Sequence, residues 1–256
     1  MAQVLYNDGN HKCIAFTDLV QGEGIQANQF AIVHDGDGML LDPGGNLTYK
    51  HLLAEMADHF LPSHTRYIFA SHQDPDIIAS ANGWLLITDA QIVIAQEWTR
   101  FIPHFCVKGA TEGRLIPIPA RGMTLPLGRT RLEIVPAHYL HTVGFFQVYD
   151  PISKILFSGD IGASLMDGVS AAQPVEDFDR HLVDHHMSGF HRRYMSNNRA
   201  ARLWVNMVRQ MDVEWIVPQH GASYKGKDMV KRFLDWFEKL ECGTDLLSEA
   251  DFPPRR

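Results

Sequence analysis

The sequence predicts an α+β fold in which two mixed β-sheets pack face to face with helices on their outer faces, an αββα sandwich. Short apolar, strand-like runs dominate both halves of the chain, helical patterns fall between some of them, and tight-turn residues punctuate the runs. At 256 residues, 45% hydrophobic and 21% charged, the chain is long enough for a deep core and ordinary for a water-soluble protein. One domain over residues 1–256 is expected, because no internal repeat, low-complexity linker or composition break divides it.

His11 to Phe16, Gln29 to His34 and Met39 to Leu41 read as strands, with the turn Asp35-Gly36-Asp37-Gly38 between the last two. Asp42-Pro43-Gly44-Gly45 ends that hairpin, and Leu47, Leu52, Leu53, Met56 and Phe60 recur at helical spacing until Pro62. Arg66 to Ala70 is strand-like and buried. Ile77 to Leu86 reads as a helix, Gln91 to Ala95 as a strand and Gln96 to Pro103 as a short helix. Arg114 to Pro136 returns to strands, with turns at Arg121-Gly122 and Leu127-Gly128. Phe145 to Tyr149 and Lys154 to Phe157 form a hairpin around Asp150-Pro151, followed by a long loop from Ile161 to Asp179. Tyr194 to Met211 is helical, Glu214 to Val217 a strand, and Lys227 to Leu240 an amphipathic helix.

A net charge of −7 without a long basic run argues against nucleic acid or an anionic membrane as partner. Cys13, Cys106 and Cys242 are odd in number and widely spaced, which fits a reduced, cytoplasmic protein. The N-terminus lacks a signal-peptide pattern, and no apolar run approaches membrane-spanning length. The 14 His are the unusual feature, since imidazole is the commonest metal ligand.

Four strand ends carry the chemistry. Ser71-His72-Gln73-Asp74-Pro75-Asp76 sets three ligand types at alternate positions after a strand, and Pro75 biases Asp74 away from helical geometry. His141 follows the strand ending near Pro136, Asp160 follows the strand Ile155 to Phe157, and Pro218-Gln219-His220-Gly221 follows Trp215 to Val217. Any one alone reads equally as a structural residue, Asp160 as ordinary turn chemistry. Loops at the ends of rigid strands are where sites are built, and the conjunction of four is the signal.

His-x-Asp-x-Asp, a later His, an Asp after a strand and a final Pro-Gln-His-Gly resemble the metallo-β-lactamase superfamily. Within it the pattern is most similar to the diiron domain of flavodiiron proteins and related oxygen-binding diiron proteins. That branch carries His-x-Glu-x-Asp where its zinc hydrolases carry His-x-His-x-Asp-His. The intervals from His141 to Asp160 and on to His220 also resemble that branch, as do Gln147-Val148-Tyr149-Asp150-Pro151 and His191-Arg192-Arg193-Tyr194-Met195. The resemblance implies one metal held by His72, Asp74 and His141, a second by Asp76 and His220, and Asp160 bridging them. The expected cofactor is two Fe ions in an oxo- or hydroxo-bridged pair. Three imidazoles and three carboxylates with no thiolate suit iron or manganese, while zinc also accepts such ligands.

The chain departs from the pattern at three places. Asp74 stands where the family often has Glu, which draws the backbone nearer the metal. Ile77 stands where the family often has a further His, which implies an open position for O2 or NO beside an apolar wall that slows proton delivery. Only residues 221–256 follow His220, so no flavodoxin-like FMN domain is expected, and the protein would either take electrons from a separate donor or bind oxygen without rapid turnover.

Tyr194 lies where related proteins place a phenol near the irons, against the reading of an ordinary half-buried helix residue. His138 is expected not to be a ligand, and Asp42 resembles a structural Asp that braces metal-binding loops. His181, His185, His186 and His191 read as a solvated helix face or dimer contact. Trp84, Trp98, Trp204, Trp215 and Trp236 read as core. The function expected is a non-haem diiron protein binding O2, as a sensor read by a signalling partner or as a reductase of O2 or NO. A zinc hydrolase of an ester, lactone or phosphodiester is the alternative, and an unreactive scaffold a third. The resemblance further implies a homodimer.

Overall fold

The computed structural model describes residues 2–165, 173–184 and 187–252. The first sheet runs in the order β1 (Ala2–Asn7), β2 (His11–Phe16), β3 (Gln29–His34), β4 (Asp37–Leu41), β5 (Thr65–Phe69), β6 (Gln91–Ala95) and β7 (Leu115–Ile118). Pairing is antiparallel as far as β4 and parallel from there to β7. The second sheet holds β8 (Met123–Leu127), β9 (Thr130–Pro136), β10 (Phe146–Asp150), β11 (Ile155–Gly159), β12 (Trp215–Pro218) and β13 (Tyr224–Lys225). Its β11–β12 pair is parallel and its other pairs antiparallel.

Alternation sorts the side chains into layers. Phe30 and Ile32 of β3, Met39 and Leu41 of β4, and Ile155 and Phe157 of β11 belong to one buried cluster shared by both sheets. Their neighbours Ala31 and Leu40 belong instead to a cluster with α1 (Tyr49–Ala57), α2 (Pro75–Ile78) and α3 (Ala81–Ile87). Leu156 faces the opposite outer layer, with α5 (Met187–Tyr194), α6 (Asn198–Val208) and α7 (Lys227–Phe237). A short helix α4 (Phe178–Asp184) precedes α5. This is the αββα sandwich that the strand pattern predicts. No helix among the described residues is long and apolar enough to cross a membrane.

Several local expectations need correction. β1, not singled out from the sequence, is half-exposed at the sheet edge and is held by pairing with β2, with Leu5 and Tyr6 packed against the core. The single helix expected from Ile77 to Leu86 is two, α2 and α3. The chain breaks at Ser80, whose hydroxyl donates to the Gly44 carbonyl while accepting from the Trp84 indole. Gln96 to Pro103 forms no α-helix but two 3-10 turns. Tyr194 ends a helix rather than starting one. Asn197 caps the next by accepting from the Ala200 amide at 2.9 Å, so α6 begins afresh. The loop expected from Ile161 to Asp179 gives way to α4 at Phe178, and its residues 166–172 lie outside the described residues.

Because β9, β11 and β12 run in one direction and β5 meets them from the facing sheet, the C-terminal ends of all four strands lie at one edge of the sandwich. A hydrogen bond from the Phe146 amide to the Ser71 carbonyl ties the two sheets there.

Candidate metal centre

At that edge the six candidate ligands converge. His72 follows β5; Asp74 immediately precedes α2, in extended conformation ahead of Pro75, and Asp76 lies in the helix's first turn. His141 sits in the loop after β9 at φ +99°, a strained value for a histidine that the surrounding fold must impose. Asp160 follows β11 and His220 follows β12. Gly221, at φ +76°, leaves space that a Cβ would take from Ser164.

The side-chain atoms sort into two groups. His141 Nε2 lies 3.0 Å from Asp74 Oδ2, and His72 Nε2 lies 3.5 Å from the same oxygen. Asp160 Oδ2 faces both rings, 3.6 Å from His72 and 3.5 Å from His141. On the other side His220 Nε2 lies 3.4 Å from Asp76 Oδ2 and 3.6 Å from Asp160 Oδ1. Asp160 thus presents one oxygen to each group. Its Oδ1 is buried without a hydrogen-bond partner, a costly state for a carboxylate oxygen that a cation would relieve. The first group, two imidazoles and one carboxylate, is a donor set familiar from non-haem ferrous sites. The six residues therefore fit a pair of hard or borderline divalent ions.

Hydrogen bonds behind the donors fix their orientation. The Nδ1–H of His220 donates to the Gln26 carbonyl at 2.8 Å, which leaves Nε2 free to face the carboxylates. Ser71 Oγ lies 2.9 Å from His72 Nδ1, and the Ser71 amide donates to Asp42 Oδ1 at 2.7 Å. Asp42 is the brace expected from the sequence; burial pushes its carboxyl up to about 7 despite the Ser71 bond. Asn28 donates to the carbonyls of Pro218 and Gly221 and pins the His220 loop.

Charges in the centre support one another. Hydrogen bonds from His141 and then His72 hold the Asp74 carboxyl well below the usual carboxylate range. Burial works to lower His220, but Asp76 and Asp160 outweigh it and raise the ring to about 9.

Above the donors lies a cavity of about 530 Å³. Val20, Ile25, Leu47, Leu165 and Phe190 supply its apolar wall. Ile77 does not. It is wholly buried in the layer beneath the first sheet, because α2 turns it away from the donors, so the wall expected of it comes from loops and α5. The walls in segment 17–28 gave no sequence signal, since irregular loops carry no periodicity, and Phe190 lies on α5, a helix not expected from the sequence. Tyr194 does line the cavity, 51% exposed, with its ring 5.7 Å from that of His141. His138 points away and lies 2.6 Å from the Ala120 carbonyl. Trp84, Trp204 and Trp215 are buried as expected; Trp98 and Trp236 are partly buried and pack against the core clusters.

His181 and His191 are buried rather than solvated, His181 against Tyr224 of β13 and His191 among aromatic side chains of α5 and α7; His185 and His186 lie outside the described residues. His191 accepts from the Gly162 amide at 2.9 Å and its Nδ1–H donates to the Met187 carbonyl at 2.8 Å, tying α5 to the loop that carries Asp160. Burial lowers this ring to about 4 from an ordinary 6.5. The folded state thus binds fewer protons there than the unfolded chain, so stability is lost as pH falls from 6.5 through 4. The loss expected from this ring is about 3 kcal/mol. Urea unfolding at intervals across that window should show His191→Gln, though less stable at pH 7, losing less stability on acidification than the parent.

A family model described as "ODP family beta lactamase" matches residues 25–221. The chain is similar to a solved structure described as the peroxy diiron species of chemotaxis sensor ODP, at 40% identity and TM-score 0.84 over 96% of this chain and 97% of that one. The apo state of chemotaxis sensor ODP from T. denticola is similar at 39% identity and TM-score 0.83, over 96% and 97% of the two chains. The flavodiiron core of Flv1 from Synechocystis sp. shares the fold, at 14% identity and TM-score 0.75 over 93% of this chain and 61% of that one. An uncharacterized protein of Methanocaldococcus jannaschii is 19% identical over 80% of this chain, which spans only 51% of that relative's length.

Proposed function

This chain belongs to the ODP family of beta lactamases, and we propose that it is a non-haem diiron protein that binds O2 and acts as an oxygen sensor. One observation carries the two-metal part: the two oxygens of Asp160 are divided between a His72/Asp74/His141 group and an Asp76/His220 group. The sensor part is supported by the likeness, over nearly the whole chain, to the chemotaxis sensor ODP. Two ferrous ions held by these six residues would supply the electrons and the open coordination that O2 binding requires.

The chain's own groups do the rest. Ser71 and Gln26 fix the His72 and His220 rings, so little reorganisation is needed when a ligand arrives. The cavity above the donors has a largely apolar wall, and Asp74 and Asp76 reach solvent through it. Phe190 and Tyr194 on α5 pack against His141, and His191 on the same helix holds the loop of Asp160. A change of charge among the donors therefore acts on α5 from two sides, which makes α5 the element a signalling protein would read.

The anaerobic ferrous protein, exposed to air, should develop a long-lived visible absorption band with stoichiometric O2 uptake. Sustained O2 or NO consumption with an added electron donor, and no persistent band, would instead make the protein a reductase.

A further inference from the structure

At the edge of the sandwich opposite the six-ligand centre, the start of β2 and the end of β10 bring three wholly buried side chains together: His11, Cys13 and Asp150. His11 Nε2 lies 2.7 Å from Asp150 Oδ2. Cys13 Sγ lies 3.4 Å from the same oxygen and 3.6 Å from His11 Nε2, so the three donor atoms fall within 4.8 Å of one another. Ser153 Oγ closes the group, 3.5 Å from Cys13 Sγ and in contact with Asp150 Oδ2. From there a chain of contacts runs outward. His11 Nδ1 lies 3.2 Å from His34 Nδ1, His34 Nε2 lies 3.2 Å from Asp35 Oδ2, and Arg129 grips Asp35 with two bonds of 2.6 and 2.9 Å.

The Asp150–His11 and His11–His34 gaps each take one hydrogen, which two neutral imidazoles supply. Asp150 Oδ2 is faced at once by His11 Nε2, Cys13 Sγ and the Ser153 amide and hydroxyl, so a cation there could take the place of the hydrogens that crowd it. We propose that His11, Cys13 and Asp150 form a zinc site, separate from the six-ligand centre. Zinc replaces the hydrogen between Asp150 and His11. His11 then carries its hydrogen on Nδ1 and donates to His34 Nδ1, while His34 Nε2 faces Asp35 Oδ2 at 3.2 Å. The ligating ring thus donates its other N–H, the usual support for a metal-bound histidine. The Cys13 thiol releases its proton to solvent, so one thiolate and one carboxylate balance the divalent charge in a buried site. Burial, and next the Asp150 charge, hold that thiol well above its ordinary value, so the thiolate forms only with the cation. A thiolate–imidazole–carboxylate set favours zinc, where the other centre, without sulfur, favours iron. Zinc here would join β2 of one sheet to β10 of the other.

Cobalt substitution tests this directly, because the six-ligand centre has no sulfur to confuse the signal. Metal-stripped protein loaded with Co(II) should show a near-ultraviolet thiolate-to-cobalt band, unchanged in Asp160→Asn, Cys106→Ser and Cys242→Ser and lost in Cys13→Ser. Protein as purified should carry about one zinc per chain that Cys13→Ser loses while keeping its iron. A cobalt-loaded parent without the band overturns the proposal whether or not the variants fold, leaving the hydrogen-bond network alone at this edge. A band that survives Cys13→Ser overturns it equally.

Discussion

Replacing Asp160 by Asn is expected to drop iron from about two per chain to fewer than one while leaving the far-ultraviolet circular dichroism unchanged. Asn keeps the volume and one carbonyl oxygen, so packing survives. It removes the charge that faces His72, His141 and His220 together, at 3.6, 3.5 and 3.6 Å. Two cations held close repel each other, and without the shared anion that repulsion is no longer offset. Asp76→Asn should be milder, since Asp76 faces only His220 and the first group stays intact. Equal losses of both metals in the two variants would count against a shared carboxylate.

Trp204→Ala should destabilise the fold by about 3–5 kcal/mol, the range for truncating a large buried aromatic. Trp204 is 3% exposed on α6, edge-on to Phe233 and Phe237. Its indole N–H donates to Gln147 Oε1 at 2.8 Å, and the Gln147 amide donates to the Ser158 carbonyl, two residues before Asp160. The truncation thus opens a cavity and frees the end of β11. Trp204→Phe should recover much of the loss, because the cavity shrinks although the hydrogen bond stays broken. The shift in urea midpoint, compared across the two variants, separates packing from that bond.

Much of this was legible in the sequence, for a physical reason. A strand with one face in the core and the other under helices must be apolar nearly throughout, so Ile155 to Phe157 and Trp215 to Val217 stand out, and the polar residues that follow mark the strand ends. The six ligands sit at such ends or in the loops beyond them, and they meet in space because the sheets bring those ends to one edge. What stayed hidden depends on tertiary contact. Ile77 looks from sequence like a wall of the site, but α2 turns it into the layer beneath. His191 sits among basic residues and reads as solvated, yet α7 closes over it and leaves it 0% exposed. His11, Cys13 and Asp150 lie on strands of different sheets, so nothing in their spacing shows that they touch.

Elemental analysis of protein purified without added metal or chelator decides the main claim. About two iron per chain, falling in Asp160→Asn, is the predicted result for a diiron centre. Two or more zinc per chain with negligible iron, persisting after growth in iron-rich medium, would contradict it and point to a hydrolytic site instead.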